Sequence, residues 1–330
     1  MRRTGWLIVL VVLLVVAGAS VGHLLGRRAG TRELTGVIGS QMAPFFADPD
    51  VRAALAGHGY RLRLDPAGSR RMADLPLGGY DFAFPGSAPA AAEIARRRPS
   101  AGAPVAVFRS PLAVASTSPI VDLLQSAGLA RRAAGSSWTL DLKAFVAANQ
   151  RGQRWDQIPG NVTFNVKQAV LVATTRPADS NSAALFAYVL NQVTGGDLGA
   201  VTKVFADQGA VDTTTEEPFE SWLRRGKDFA PLVLVYEAQF LDRGAGGDHV
   251  LLYPQPTIVS EHTVVPFTTA GADLAKLLAA DPRLQRLAAA HGFRTAGAPG
   301  AVTLGAADTI PSPDEPTLHA LLAALEERLT

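Results

Sequence analysis

Residues 105–115 read VAVFRSPLAVA, an apolar extended run broken at Ser110-Pro111. Residues of this type predict a long strand. Pro111 has no N–H to give to a ladder, so the strand must leave a sheet edge or cross between sheets. The arrangement recurs far along the chain, where 250–253 (VLLY) and 257–265 (TIVSEHTVV) flank Pro254 and Pro256. Two such crossings predict a chain that passes from one lobe into a second and back. The expected division is 31–112 with 255–330 for the first lobe and 113–254 for the second.

Outward from these crossings, strand and helix patterns alternate. Strands are predicted at 34–38 (LTGVI), 60–64 (YRLRL), 80–84 (YDFAF), 169–173 (AVLVA) and 232–236 (LVLVY). Helical patterns cover 44–58, 70–75, 90–97, 120–128, 140–150, 183–193, 201–208, 216–225, 273–278 and 282–290. This order predicts an α/β protein with a mostly parallel sheet in each lobe. Residues 295–316 are rich in Gly, Ala and Pro and read as a linker. The amphipathic helix at 316–329 is expected to pack on the first lobe.

The chain has 330 residues, 31 Lys+Arg, 29 Asp+Glu and no cysteine. Disulfide scaffolds, Cys-ligated metals, thiol catalysis and an N-terminal lipidated cysteine are thereby excluded. Arg2, Arg3, Arg27 and Arg28 flank the apolar run WLIVLVVLLVVAGA at 6–19, which weakens toward Leu25. Two readings of residues 1–30 stay open. They form a single transmembrane anchor, or a signal peptide cleaved after Ala19 at the A-x-A pattern Ala17-Gly18-Ala19. Both export the rest, as a single-pass extracellular domain or as a secreted one. Setting the four flanking arginines aside leaves 27 basic side chains against 29 acidic ones, so the basic pI does not point to nucleic acid. Arg supplies 26 of the basic residues, and Ala and Gly are abundant, the bias of a GC-rich bacterial genome.

The strand-to-helix junctions repeat one chemical type: Ser40, Ser69-Arg70, Ser87, Ser110, Thr175-Arg176 and Ser180-Asn181-Ser182. Small hydroxyls beside the unpaired N–H groups of a helix start offer a seat for carboxylates or oxyanions, and they are also ordinary caps. Tyr236-Glu237-Ala238-Gln239 ends the strand at 232–236 with a phenol, a carboxylate and a carboxamide. Glu237 either faces a ligand or pairs with Arg70 or Arg176 across a cleft. The histidines (His23, His58, His249, His262, His291, His319) show no metal-ligand spacing, and no nucleophile elbow, P-loop or dinucleotide fingerprint occurs. No metal, no cofactor and no enzyme activity are expected. A hydrolase or transferase built on Glu237 and His262 is the weakest reading.

The segments LTGVIGSQMAPFFADPDVRAALAGHGYRLRLDPAGSRRMA, DFAFPGSAPAAAEI, FRSPLAVAS, TTRPADSNSAALFAYVL, FADQG, VYEAQFL, LLYPQPTIVSEHTVVPF and DPRLQRLAAAHGFR, taken in order, resemble bacterial extracellular solute-binding proteins of the type II periplasmic-binding-protein fold. That superfamily includes molybdate and sulfate receptors, and the likeness spans 33–294. It implies two α/β lobes joined by two crossover strands, with a ligand clamped between them. By position it implies that Ser40, Ser69, Ser87, Ser110, Ser180, Asn181, Ser182 and Tyr236 fall near the cleft. The chain departs from the pattern at Gln41-Met42 and at Arg71, so no ligand identity carries over. The expected function is a membrane-tethered, monomeric receptor for a small polar or anionic solute, read by a transporter or a sensor. The alternative is an envelope interaction module on the same fold with a vestigial cleft.

Overall fold

The computed structural model describes residues 31–133, 137–209, 216–295, 297–298, 304 and 308–329. The N-terminal apolar run lies outside the described residues, and no helix within them is long and apolar enough to cross a membrane.

The first lobe opens with β1 (Arg32–Gly39), α1 (Ala43–Ala47), α2 (Pro49–Gly57), β2 (Tyr60–Ala67), β3 (Phe82–Phe84) and α3 (Ala88–Arg97). The single helix expected over 44–58 is split at Asp48. That residue precedes a proline and is extended (φ −60°, ψ 130°), while its carboxylate accepts from the N–H groups of Asp50 and Val51.

The chain continues through β4 (Val105–Thr117), α4 (Ser118–Ser126), β5 (Ala130–Arg132), β6 (Trp138–Asp141), α5 (Leu142–Gln150), α6 (Asn181–Val193), α7 (Leu198–Ala206), α8 (Glu216–Arg225), β7 (Val233–Tyr236), β8 (His249–Gln255) and β9 (Thr257–Pro266). It closes with α9 (Thr269–Ala280), α10 (Pro282–Ala290), β10 (Thr309–Ile310) and α11 (Glu315–Leu329).

Among the described residues the strands run β2-β1-β3-β9-β4-β8-β6-β5, with β10 beside β9 and β7 beside β4. β4 is the crossing strand. Its residues up to Pro111 pair antiparallel with β9, and from Leu112 onward it pairs with β7 and then β8. The handover falls at the proline, where the ladder lacks a donor. The sheet is mixed rather than mostly parallel: β1 runs parallel with β2 and β3, β6 with β8 and β10 with β9, but β4 is antiparallel to β7, β8 and β9, and β9 is antiparallel to β3.

Two further expectations change. Residues 169–173 form no ladder; Ala173 meets Val233 through an isolated parallel bridge. β6 takes in Leu140 and Asp141, where a helix was expected to begin, because Asp141 accepts from Ala144 N–H at 2.9 Å and starts α5 only at Leu142.

Apolar cores lie in both halves. In the first, Leu34, Ile38, Phe45, Val51, Phe84 and Phe108 pack under α1, α2, α9 and α10. In the second, Ile120, Phe145, Trp155, Leu185, Phe186 and Val201 pack between α4, α5, α6 and α7. The C-terminal helix corrects the sequence reading. Leu318, Leu321, Leu322 and Leu325 of α11 join the second core rather than the first. The other end of α11 still reaches the first lobe, where Arg96 of α3 lies 3.6 Å from Glu315.

Candidate functional site

The junction serines of both lobes come together. Ser87 caps α3 by accepting from Ala90 N–H at 3.4 Å, and Ser180 caps α6 by accepting from Ala183 N–H at 3.3 Å. The two helix N-termini meet: the Ser87 hydroxyl donates to the Asn181 carboxamide oxygen in a short hydrogen bond. The Asn181 NH2 group in turn donates to the Tyr236 hydroxyl at 2.7 Å and lies 3.5 Å from the Gly86 carbonyl and 3.4 Å from Ser260 Oγ. The Ser260 hydroxyl also donates to the Gly86 carbonyl. Burial raises the Tyr236 phenol to about 12, so it stays protonated, while its bonds to Asn181 and Ser260 pull the other way.

On the first-lobe side, Ser69 accepts from Gly86 N–H at 2.9 Å. Ser40 and Gln41 lie buried in the turn after β1. Gly86 packs closely against these side chains. A Cβ there would stand 2.6 Å from Gln41 Nε2, 3.3 Å from Ser69 Oγ and 3.5 Å from Tyr236 Oη. Gln41 Nε2 has no hydrogen-bond partner although it is buried. Arg70 is also buried, with Nη2 3.2 Å from Glu93 Oε2, while its Nε and Nη1 have no partner. Burial pushes the guanidinium down from its ordinary value and Glu93 opposes the shift.

Other predicted residues have different work. Ser110 accepts from Ala238 N–H at 3.0 Å and pins β4 to the turn after β7. Thr175 bonds to the Ser180 hydroxyl, which also lies 3.4 Å from Ser182 Oγ. Gln239 Oε1 accepts from Tyr236 N–H at 3.0 Å, so that carboxamide closes the local turn. Arg176 is half exposed and pairs with Glu326 of α11, away from the serines.

Glu237 has neither of its expected partners. Its carboxylate is fully buried and takes two hydrogen bonds from Arg294, at 2.7 and 2.6 Å, plus one from the Tyr253 hydroxyl. Both oxygens are committed, so the side chain is structural.

His262 lies buried between Tyr236 and Phe293, with ring centroids 5.4 and 5.3 Å away. Neither ring nitrogen makes a well-formed hydrogen bond. Burial pushes it down to about 3, with the Ser260 backbone pulling weakly upward. It therefore does not bond to Glu237, and the catalytic pairing of those two residues is absent. Sequence reasoning missed Gln41, Ser260 and Arg294, because nothing local marks a residue whose partner lies in another element.

A small void lies beside Gln41 and the turn after β7, and Ser69, Ser87, Asn181 and Tyr236 do not line it. This cavity of about 10 Å³ touches Gln41, Phe45, Gln239, His291 and Phe293. That is the room one water needs.

No protein-family profile and no curated protein matches the chain by sequence. Solved structures do match by fold. The sulfate-binding protein SubI from Mycobacterium tuberculosis H37Rv is 15% identical, with a TM-score of 0.55, covering 90% of this chain and 91% of that one. The substrate-binding protein of an ABC transporter from Agrobacterium tumefaciens is 14% identical, with a TM-score of 0.59, covering 93% and 96%. Iron-bound HitA from Pseudomonas aeruginosa is 11% identical, with a TM-score of 0.60, covering 90% and 99%. With two lobes, two crossing strands and helix N-termini meeting between them, the chain has the type II periplasmic-binding-protein fold.

Proposed function

We propose that this protein is an exported, membrane-tethered solute-binding protein whose lobes close on a small anion. The observation that carries the reading is the meeting of the α3 and α6 N-termini through Ser87 and Asn181. Two positive helix ends brought face to face favour a negative charge between them. The buried Arg70, ion-paired to Glu93, keeps two N–H-bearing nitrogens without partners on the first-lobe side. Ser40, Ser69, Ser87, Ser180, Asn181, Ser182 and Tyr236 supply neutral hydrogen bonds, while Ser110, Glu237 and Gln239 hold the hinge. The sulfate-binding protein among the similar folds accords with an anionic ligand. No catalytic step belongs to this reading, and a transporter or a sensor would read the closed form.

A thermal-unfolding screen of the purified protein against sulfate, phosphate, molybdate, carboxylates and ferric citrate tests it. A ligand at 100 times its Kd adds about 2.7 kcal/mol of stability. If none of these anions shifts the transition, the receptor reading fails.

The second reading, an interaction module whose cleft no longer takes a ligand, draws on a specific observation. Gln41 packs beside Gly86, and Asn181 bonds to Ser87 and Tyr236, so these side chains meet one another where the lobes join. In that case the lobes stay shut and solution scattering is the same with and without every anion tried.

A further inference from the structure

A groove of about 710 Å³ runs along the outer edge of the first lobe, between β2 and the helices α1 and α2. Its walls are apolar, formed by Ile38, Phe46, Leu55, Leu62 and Leu64, with Ala56 exposed on the helix side. β2 is the terminal strand of the sheet, and no element beyond it covers the groove among the described residues.

Arginine is in excess around this edge. Arg32, Arg52, Arg61 and Arg63 are exposed and form no ion pair among the described residues, and Arg52 and Arg61 line the groove itself. Among the acids nearby, Asp48 caps α2 and meets His291 and Asp50 lies 3.9 Å from Arg283, while Asp65, which accepts from the neutral Tyr80 hydroxyl, and Glu33, opposite Arg61 in the β1–β2 register, keep their charge.

The chain itself sets where this face sits. Thr31 lines the groove and follows Leu25, where the uncharged N-terminal span ends, by six residues. A chain of that length reaches at most about 20 Å. With the span in a bilayer, the groove is held close to the headgroups. The connecting residues include Arg27 and Arg28, which would meet Arg52 and Arg61 as like charges if the segment folded back into the groove. A second copy would bring the same basic rim against itself. An anionic bilayer satisfies both the apolar walls and the arginines.

We propose that the β2 edge of the first lobe docks on the anionic lipid surface of the membrane that holds the tether, with the groove taking acyl-chain surface and the arginines meeting headgroups. The inference rests on the tethered reading above. It goes further by assigning the lobe and the face that lie against the membrane.

The absence of cysteine makes the test direct. Full-length protein carrying Ala56→Cys, labelled with an environment-sensitive fluorophore, is reconstituted into phosphatidylcholine vesicles and into vesicles containing one-fifth phosphatidylglycerol. Lys143→Cys, on the second lobe, is the reference position. The expected result is a blue shift at position 56 in the anionic vesicles only, no shift at position 143, and loss of the shift when Arg52, Arg61 and Arg63 are all changed to Glu. Protein that floats with both vesicle types but shows no shift at position 56, or keeps the shift in the triple variant, overturns the docking while the tether stands. Protein that floats with neither overturns the tether and the docking together.

Discussion

Arg294 grips the buried carboxylate of Glu237 with two hydrogen bonds, 2.7 and 2.6 Å long, and so joins the segment after α10 to the turn after β7. The same arginine is held by backbone bonds to Arg109 on the crossing strand, 2.8 and 3.0 Å long. The hinge is thus fixed by a charge pair whose members are far apart in sequence. A buried pair of this kind is costly to break on one side, because the remaining charge has no water to replace its partner. Arg294→Leu is expected to lower the unfolding free energy by about 3–5 kcal/mol in urea titrations. Replacing Glu237 and Arg294 together with leucines should cost less than the single change, and an equal cost would show that packing rather than charge dominates.

Asn181 links the lobes through Ser87 and Gly86, while Tyr236 holds it on the second-lobe side. Asn181→Ala removes that link and leaves the two helix ends opposed. The ligand-free variant is expected to have a larger radius of gyration in solution scattering than the parent. Identical scattering would mean that α11, which touches both lobes, suffices to hold them shut.

Ser69 and Ser110 each accept from a buried backbone N–H, of Gly86 and Ala238 respectively. Ser69→Ala and Ser110→Ala should each cost about 1–3 kcal/mol of stability with no ligand present, since a buried donor is left unsatisfied. Calorimetry of the two variants against the parent decides this, and an unchanged unfolding free energy in both would refute it.

His291 stands between Asp242, 2.8 Å away, and Asp48, 3.2 Å away. Its hydrogen bond to Asp242 raises its proton affinity above the ordinary histidine value, burial opposes the shift, and Asp48 adds to it. A raised folded-state value means that the added stability is fully present below the unfolded value of about 6.5 and fades as pH rises through the folded one. The stability difference between the parent and His291→Gln should therefore be largest near pH 6 and smaller near pH 9. A difference that grows toward alkaline pH would reverse the assignment.

Gly271 in the first turn of α9 has no room for a side chain: a Cβ there would stand 2.2 Å from the Asp81 carbonyl oxygen. The clash is with backbone, which cannot swing away. Gly271→Ala is expected to destabilise the first lobe by about 1–3 kcal/mol, the usual range for overpacking, as read from its denaturation midpoint.

Much of the architecture was legible because its causes are local. The crossing strands were visible in Pro111 and in Pro254 and Pro256, since a residue without an N–H interrupts a ladder wherever the rest of the chain lies. Ser87 and Ser180 read as helix starts because capping needs only the next three residues. Asp48 split the helix predicted over 44–58 by the same short-range chemistry, which the hydrophobic periodicity masked.

The gathering of Ser69, Ser87, Asn181 and Tyr236 was legible only as a set of strand ends. What each one bonds to depended on the approach of the other lobe. The sequence by itself thus determined a two-lobed α/β chain with polar strand-to-helix junctions. Tertiary structure decided that Glu237 pairs with Arg294, that the leucines of α11 join the second core, and that Asn181 meets Ser87 and Tyr236. These outcomes turn on side chains brought together across long stretches of chain, where packing chooses the partner and local pattern has no say.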